Sequence, residues 1–165
     1  MKKIVLLLFV LAHNLLVSAQ SVNLEEARKL YMKSGNNKEA CKKLYDLLAK
    51  IDEKNQNLLL GYKGAVMAEM AKHSKDASQK LKFFKEGRKK LDQAILNDIE
   101  NIELRFLRLS IQLHTPDVLH YNGDIANDEK FIQENLDKIK NQELKKSIAE
   151  FMAKLDKKNP ESNPK

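Results

Sequence analysis

Ala40-Cys41-Lys42-Lys43-Leu44 returns 47 residues further on as Gly87-Arg88-Lys89-Lys90-Leu91. Each copy sets a small residue four positions before a leucine. An apolar pair follows, Leu47-Leu48 in the first copy and Ala94-Ile95 in the second. Residues four and seven apart share one face of an α-helix, so each copy is one apolar stripe. The small residue at its head lets a second helix come close. Outward from the copies the same shift places Glu53 on Glu100 and Leu60 on Leu107. Such a stripe cannot bury itself. The unit is therefore a pair of helices, and the pairs must pack on one another.

Helical spacing holds nearly everywhere after Asn23, as in Leu81, Phe84, Leu91 and Ile95, and again in Leu144, Ile148, Phe151, Met152 and Leu155. Asn23, Asn101 and Asn141 each stand just before acidic residues. There the amide oxygen can accept a free backbone N–H, and the acids suit the positive helix end. Gly35-Asn36 is a stop signal, and Pro116 ends a helix near His114. Seven helices are expected, at about 24–34, 37–51, 56–73, 77–97, 101–114, 127–140 and 142–156. Those at 56–73 and 101–114 are apolar on more than one side, which puts them in the middle of the packing. The fold class is all-α: about three antiparallel helix pairs, with the last helix capping the final apolar face.

The amino terminus reads differently. Lys2 and Lys3 precede an apolar run from Ile4 to Val17, broken only by His13 and Asn14, and Val17-Ser18-Ala19 offers small residues for cleavage. This is the pattern of a secretory signal peptide over 1–19. It is shorter than the roughly 20 apolar residues that span a bilayer. The expectation is an exported chain, periplasmic or secreted, cut near Ala19 and free of membrane spans. Residues 20–156 would form one helical domain, and 157–165, polar with two prolines, a disordered tail. Cys41 is the only cysteine, so an internal disulfide is excluded and a small buried hydrophobe is expected.

Without the leader's two lysines the formal charge falls from +7 to +5. Its distribution is uneven. Lys72 to Lys90 holds eight basic residues against Asp76 and Glu86, whereas Asp117 to Asp137 holds six acids against Lys130. The basic 72–90 face serves solubility or contact with an anionic surface. Phe83 and Phe84 lie within it, but export and the core position of Phe84 argue against nucleic acid as a partner.

In these features the chain resembles the tetratricopeptide-repeat-like (TPR-like) superfamily. Leu60-Gly61 matches that family's Leu-Gly pair in the first helix of a unit. Gly87, Leu91 and Ala94 match the small, apolar and alanine positions of the second helix, and Asn97-Asp98-Ile99-Glu100-Asn101 lies where the family's connection falls. The resemblance covers most of 24–140. In its Lys- and Asn-rich style the chain also resembles small exported helical proteins of Bacteroidetes-type bacteria. The resemblance implies a right-handed α-solenoid whose first helices line a concave groove for a peptide. By position, the groove residues would be Leu58, Tyr62, Ala65, Arg105, Leu109 and Gln112. Spacing adds Arg108, since Asn101, Arg105, Arg108 and Gln112 form one polar stripe. An arginine there can hold a carboxylate through two parallel bonds, or can pair with Glu103 or Glu69 within the chain.

His114-Thr115-Pro116-Asp117-Val118-Leu119-His120-Tyr121-Asn122-Gly123-Asp124 is the longest connection that does not repeat. Its two histidines and two aspartates could bind a metal, although their spacing matches no ligand pattern. The other reading has Val118, Leu119 and Tyr121 tucked onto the core, with His and Asp at helix ends. No Gly-x-Ser-x-Gly, phosphate-binding glycine loop, HExxH or EF-hand sequence occurs. Gly61, Gly64 and Gly87 fall inside helices, where they serve close packing. The expected function is a non-enzymatic protein- or peptide-binding module of the cell envelope, with no cofactor. The alternatives are a metal-dependent or hydrolytic enzyme using His114, Asp117, His120 and Asp124, and a self-associating envelope subunit.

Overall fold

In the computed structural model, which describes residues 22–158, asparagine side chains open four of the helices. The backbone N–H groups of Glu25 and Glu26 donate to Asn23 Oδ1 at 2.8 and 3.4 Å. Asn37, Asn101 and Asn141 accept from Ala40, Leu104 and Leu144 at 2.9, 3.1 and 2.9 Å. The helices so defined are α1 (Leu24–Ser34), α2 (Lys38–Leu47), α3 (Asn57–His73), α4 (Ala77–Asn97), α5 (Ile102–Gln112), α6 (Ile125–Asn135) and α7 (Gln142–Lys158). Short 3-10 turns occupy Asp117–Leu119 and Leu136–Lys138, and the described residues hold no strand. The all-α class is therefore what the chain adopts.

Several boundaries differ from the sequence reading. The helix expected over 37–51 ends at Leu47, where the N–H of Leu48 turns back to Leu44 O. The helix expected at 127–140 begins two residues earlier, and its last turn tightens into the 3-10 form. The last helix runs to Lys158, taking Lys157 and Lys158 from the expected tail. The leader over 1–19 and residues 159–165 lie outside the described residues. Among the described residues no helix is long and apolar enough to cross a membrane.

Helix α3 is the centre of the packing. It buries ten residues between Leu59 and Glu69 and packs against α1, α2, α4 and α5. A helix with no polar side needs neighbours all round. Its closest neighbour is α4. A Cβ built on Gly64 would stand 2.6 Å from the Gly87 carbonyl oxygen, and one on Gly87 2.6 Å from that of Gly64. The two helices thus touch backbone to backbone, and Gly87, the small residue of the second copy, is used as the sequence implied. Gly61 performs the same service toward α5, where an added Cβ would meet Leu104 Cδ2 at 2.2 Å. Beyond this seam, Cys41, Leu44, Leu48, Leu91, Leu104, Leu107, Leu109 and Ile148 have no exposed surface. Helix α7 closes the far side, its Phe151 set edge-to-face on Phe106 with centroids 5.2 Å apart.

Candidate functional site

Near their N-terminal ends α1, α3 and α5 meet through buried charge, and α7 joins them through a half-exposed glutamate. Arg28 of α1 donates from Nε and Nη2 to both oxygens of Glu103 of α5, at 2.7 and 2.6 Å. The hydroxyl of Tyr62 of α3 donates to the same carboxylate at 2.5 Å. Arg28 also reaches Glu25, which accepts from Asn141 Nδ2 at 3.0 Å in front of α7. The hydrogen-bonded Glu103 holds the Arg28 guanidinium firmly charged. Burial, reinforced by the charge on Glu103, pushes the Tyr62 hydroxyl well above the usual tyrosine range. Doubly held pairs of this kind fix geometry as well as charge.

Toward the C-terminal ends of the same helices the packing opens. A cleft of about 490 Å³ is lined by Tyr31 and Met32 of α1, Glu69 and Lys72 of α3, Phe106 and Ser110 of α5, His114, and Phe151 of α7. The lining residues follow the polar layer in sequence on each helix, so these helices run in the same sense. The Tyr31 hydroxyl and Ser110 Oγ are 2.6 Å apart, and burial raises the pKa of that tyrosine. Glu69 is 5 % exposed, and Lys72 Nζ stands 3.0 and 2.9 Å from its two oxygens. Only the first of these contacts is aligned as a hydrogen bond. The cleft therefore combines three rings with a preformed ion pair.

The residues assigned to the groove from sequence lie elsewhere. Tyr62, Ala65, Leu109 and Gln112 are covered, at 1, 0, 0 and 2 % exposure, and Leu58 is half-buried against the core. None of them lines the cleft. Arg105 and Arg108 do hold a carboxylate, but it is the chain's own. Arg108 grips Asp128 of α6 with two bonds, Nε to Oδ2 at 2.7 Å and Nη2 to Oδ1 at 2.8 Å. Arg105 Nη1 adds a third at 3.0 Å and caps the Ile99 carbonyl with its other nitrogens. Asp128 is wholly buried. Burial works against the Arg108 charge, yet Asp128 outweighs it and keeps the pKa above the ordinary value. Glu103 and Glu69, the partners considered for these arginines, pair with Arg28 and Lys72 instead.

The loop residues do not gather. His114 Nδ1 lies 2.9 Å from the Ser110 carbonyl, Asp117 accepts from Asn122 at 3.3 Å, and Asp124 faces Arg108 at 3.3 Å. His120 is exposed with φ 48°, in the left-handed region that ends the 3-10 turn. Among the described residues no three His, Cys, Asp or Glu side chains come together as a metal-binding group. What pins the loop is Tyr121. It is 4 % exposed, donates to Asp92 at 2.7 Å, takes Arg88 over its ring and meets Phe84 edge-on. Leu119 packs on the core as expected, whereas Val118 is 76 % exposed. The rings within the basic run are used inside the chain too, Phe83 against Tyr45 and Phe84 against Tyr121.

A second cavity, of about 370 Å³, lies behind the first, between α3, α4, the end of α5 and the loop. The two share Lys72 and His114. Leu81, expected on the buried stripe of α4, is 40 % exposed because it stands at the mouth of this cavity instead.

Sequence reasoning missed the cleft because it followed the polar stripe of α5 and not its neighbouring face. Phe106, Ser110 and His114 recur every four residues there, and Glu69 is the sole acid in α3. A lone acid in an apolar helix was the available signal. No protein-family model, curated protein or solved structure matches the chain.

Proposed function

We infer that this is an exported, non-enzymatic binding module built as a TPR-like right-handed stack of helix pairs, and that it holds a peptide or protein segment. One observation carries the reading: α1, α3, α5 and α7 each give side chains to a single open cleft. In stacked pairs it is alternate helices that face the groove. Segment binding calls for apolar pockets with a few fixed polar groups. Phe106, Phe151 and Tyr31 supply the first, and Glu69, Lys72 and Ser110 the second. The polar layer around Glu103 sets the helices before any ligand arrives, which lowers the ordering cost of binding. Export rests on the leader pattern of residues 1–19.

The test is a random-peptide display selection on the purified chain, repeated with Ser110→Trp and Lys72→Glu. Enriched peptides should lose at least tenfold in affinity with either variant while the far-ultraviolet circular dichroism stays unchanged. No enrichment, or enriched peptides indifferent to both substitutions, overturns the reading.

A further inference from the structure

The second cavity differs in kind from the cleft. Its walls are Ala68, Ala71, Leu81, Phe84, Ile111 and Leu119, and they offer almost no polar atom. Its edge carries Lys72, Lys80 and His114. Lys80 is exposed and pairs with no carboxylate among the described residues, whereas Lys72 is held by Glu69. Lys75, Lys82 and Lys85 stand exposed close by in sequence. An apolar hollow of about 150 Å³ already takes up benzene. One of about 370 Å³ has room for a longer apolar group.

The geometry points to a site for a single-chain anionic amphiphile, a fatty carboxylate in chemical class. Its tail lies between α3, α4 and Leu119, and its head meets Lys80 at the mouth. Charge selects this occupant over others. A cationic amphiphile would bring its charge to the basic rim. The chain's own apolar leader would do the same, because Lys2 and Lys3 precede it. A neutral chain would leave Lys80 unused. The part-exposed Leu81 is then the side chain that a bound tail covers. The site goes beyond peptide binding and uses a separate cavity. The basic stretch of α4 gains a purpose from it: it draws anionic lipid toward the opening before the tail enters.

The experiment is calorimetric titration of the full chain with decanoate, dodecanoate and tetradecanoate below micelle formation, beside dodecanol and dodecyltrimethylammonium. Lys80→Glu and Leu81→Glu run in parallel; both positions are exposed enough to leave folding intact, and binding to the leader cancels between chains that differ only there. Affinity should rise about fourfold per added methylene until the cavity fills. Lys80→Glu should weaken dodecanoate roughly tenfold and leave dodecanol unchanged, and Leu81→Glu should weaken both. Carboxylate, alcohol and ammonium binding alike, or binding indifferent to both substitutions, overturns the proposal, as does the absence of binding. Ser110→Trp, which blocks the cleft, should leave amphiphile binding intact, so the two sites fail or stand separately.

Discussion

Gly64 and Gly87 meet with so little space that neither can carry a side chain. A Cβ on Gly64 would lie 2.5 Å from the Leu91 backbone nitrogen, and one on Gly87 2.7 Å from that of Ala68. The neighbours are backbone, which cannot rotate away. Alanine regains about 1 kcal/mol of helix propensity at either place. Forcing the helices apart costs more, since overpacking typically costs about 1–3 kcal/mol even where side chains can yield. Gly64→Ala and Gly87→Ala should each lose at least about 2 kcal/mol in urea denaturation. Gly61→Ala, which meets the far end of Leu104, should lose less; equal losses would mean that the backbone contact is not what decides.

Asp128 lies under two arginines with no exposed surface. Removing one partner of a buried ion pair typically costs about 3–5 kcal/mol, because the other charge is stranded. Asp124 remains near Arg108 and should soften the loss. Asp128→Ala is expected to cost about 3 kcal/mol, measured by chemical denaturation. The double variant Asp128→Ala with Arg108→Met should recover part of it. A double variant weaker than the single one would show that the charge was not the cause.

Gln112 is 2 % exposed, and neither its amide oxygen nor its nitrogen bonds to another group among the described residues. A buried amide without a partner costs about 1–3 kcal/mol. Gln112→Met keeps the volume and removes the polar atoms. It should raise the melting temperature by a few degrees, in line with a gain of about 1 kcal/mol. A fall in melting temperature would show that the amide is satisfied in solution.

Cys41 has no exposed surface, and burial pushes its thiol up to about 12. The thiolate is the reactive form. Ellman's reagent at pH 8 should therefore leave the folded chain unmodified over hours and react at once in denaturant. The linkage has a definite sign. From about pH 9 the unfolded thiol loses its proton while the folded one keeps it, so stability should fall between about pH 9 and 12. Cys41→Ala should lose less stability across that window than the natural chain.

The fold was legible where local rules act alone. Asn23, Asn101 and Asn141 cap helices as their positions imply, and Gly87, the small residue of the second copy, meets Gly64 in the seam. Helix ends governed by tertiary contact were less legible. Leu47 ends α2 early although Leu48 and Ile51 are buried, because burial does not require helical backbone. The site was harder still. Arg105 and Arg108 have the same spacing whether they face a ligand or Asp128, and periodicity carries no record of which partner stands opposite. Tyr62 reads as a groove aromatic until Glu103, 41 residues away, is seen to accept a hydrogen bond from its hydroxyl.

The clamp between Arg28 and Glu103 joins points 75 residues apart in the chain. In a linear array, where each unit leans only on the next, the first hairpin could mature as soon as its own residues were free to fold. Here the Arg28 guanidinium has only Glu25, one turn away on its own helix, until the fifth helix brings Glu103. The first hairpin is thereby completed only once α5 is in place, and fraying from one end is discouraged. A chain cut short before residue 103 should behave as a loose, protease-sensitive fragment and not as a shorter version of the whole.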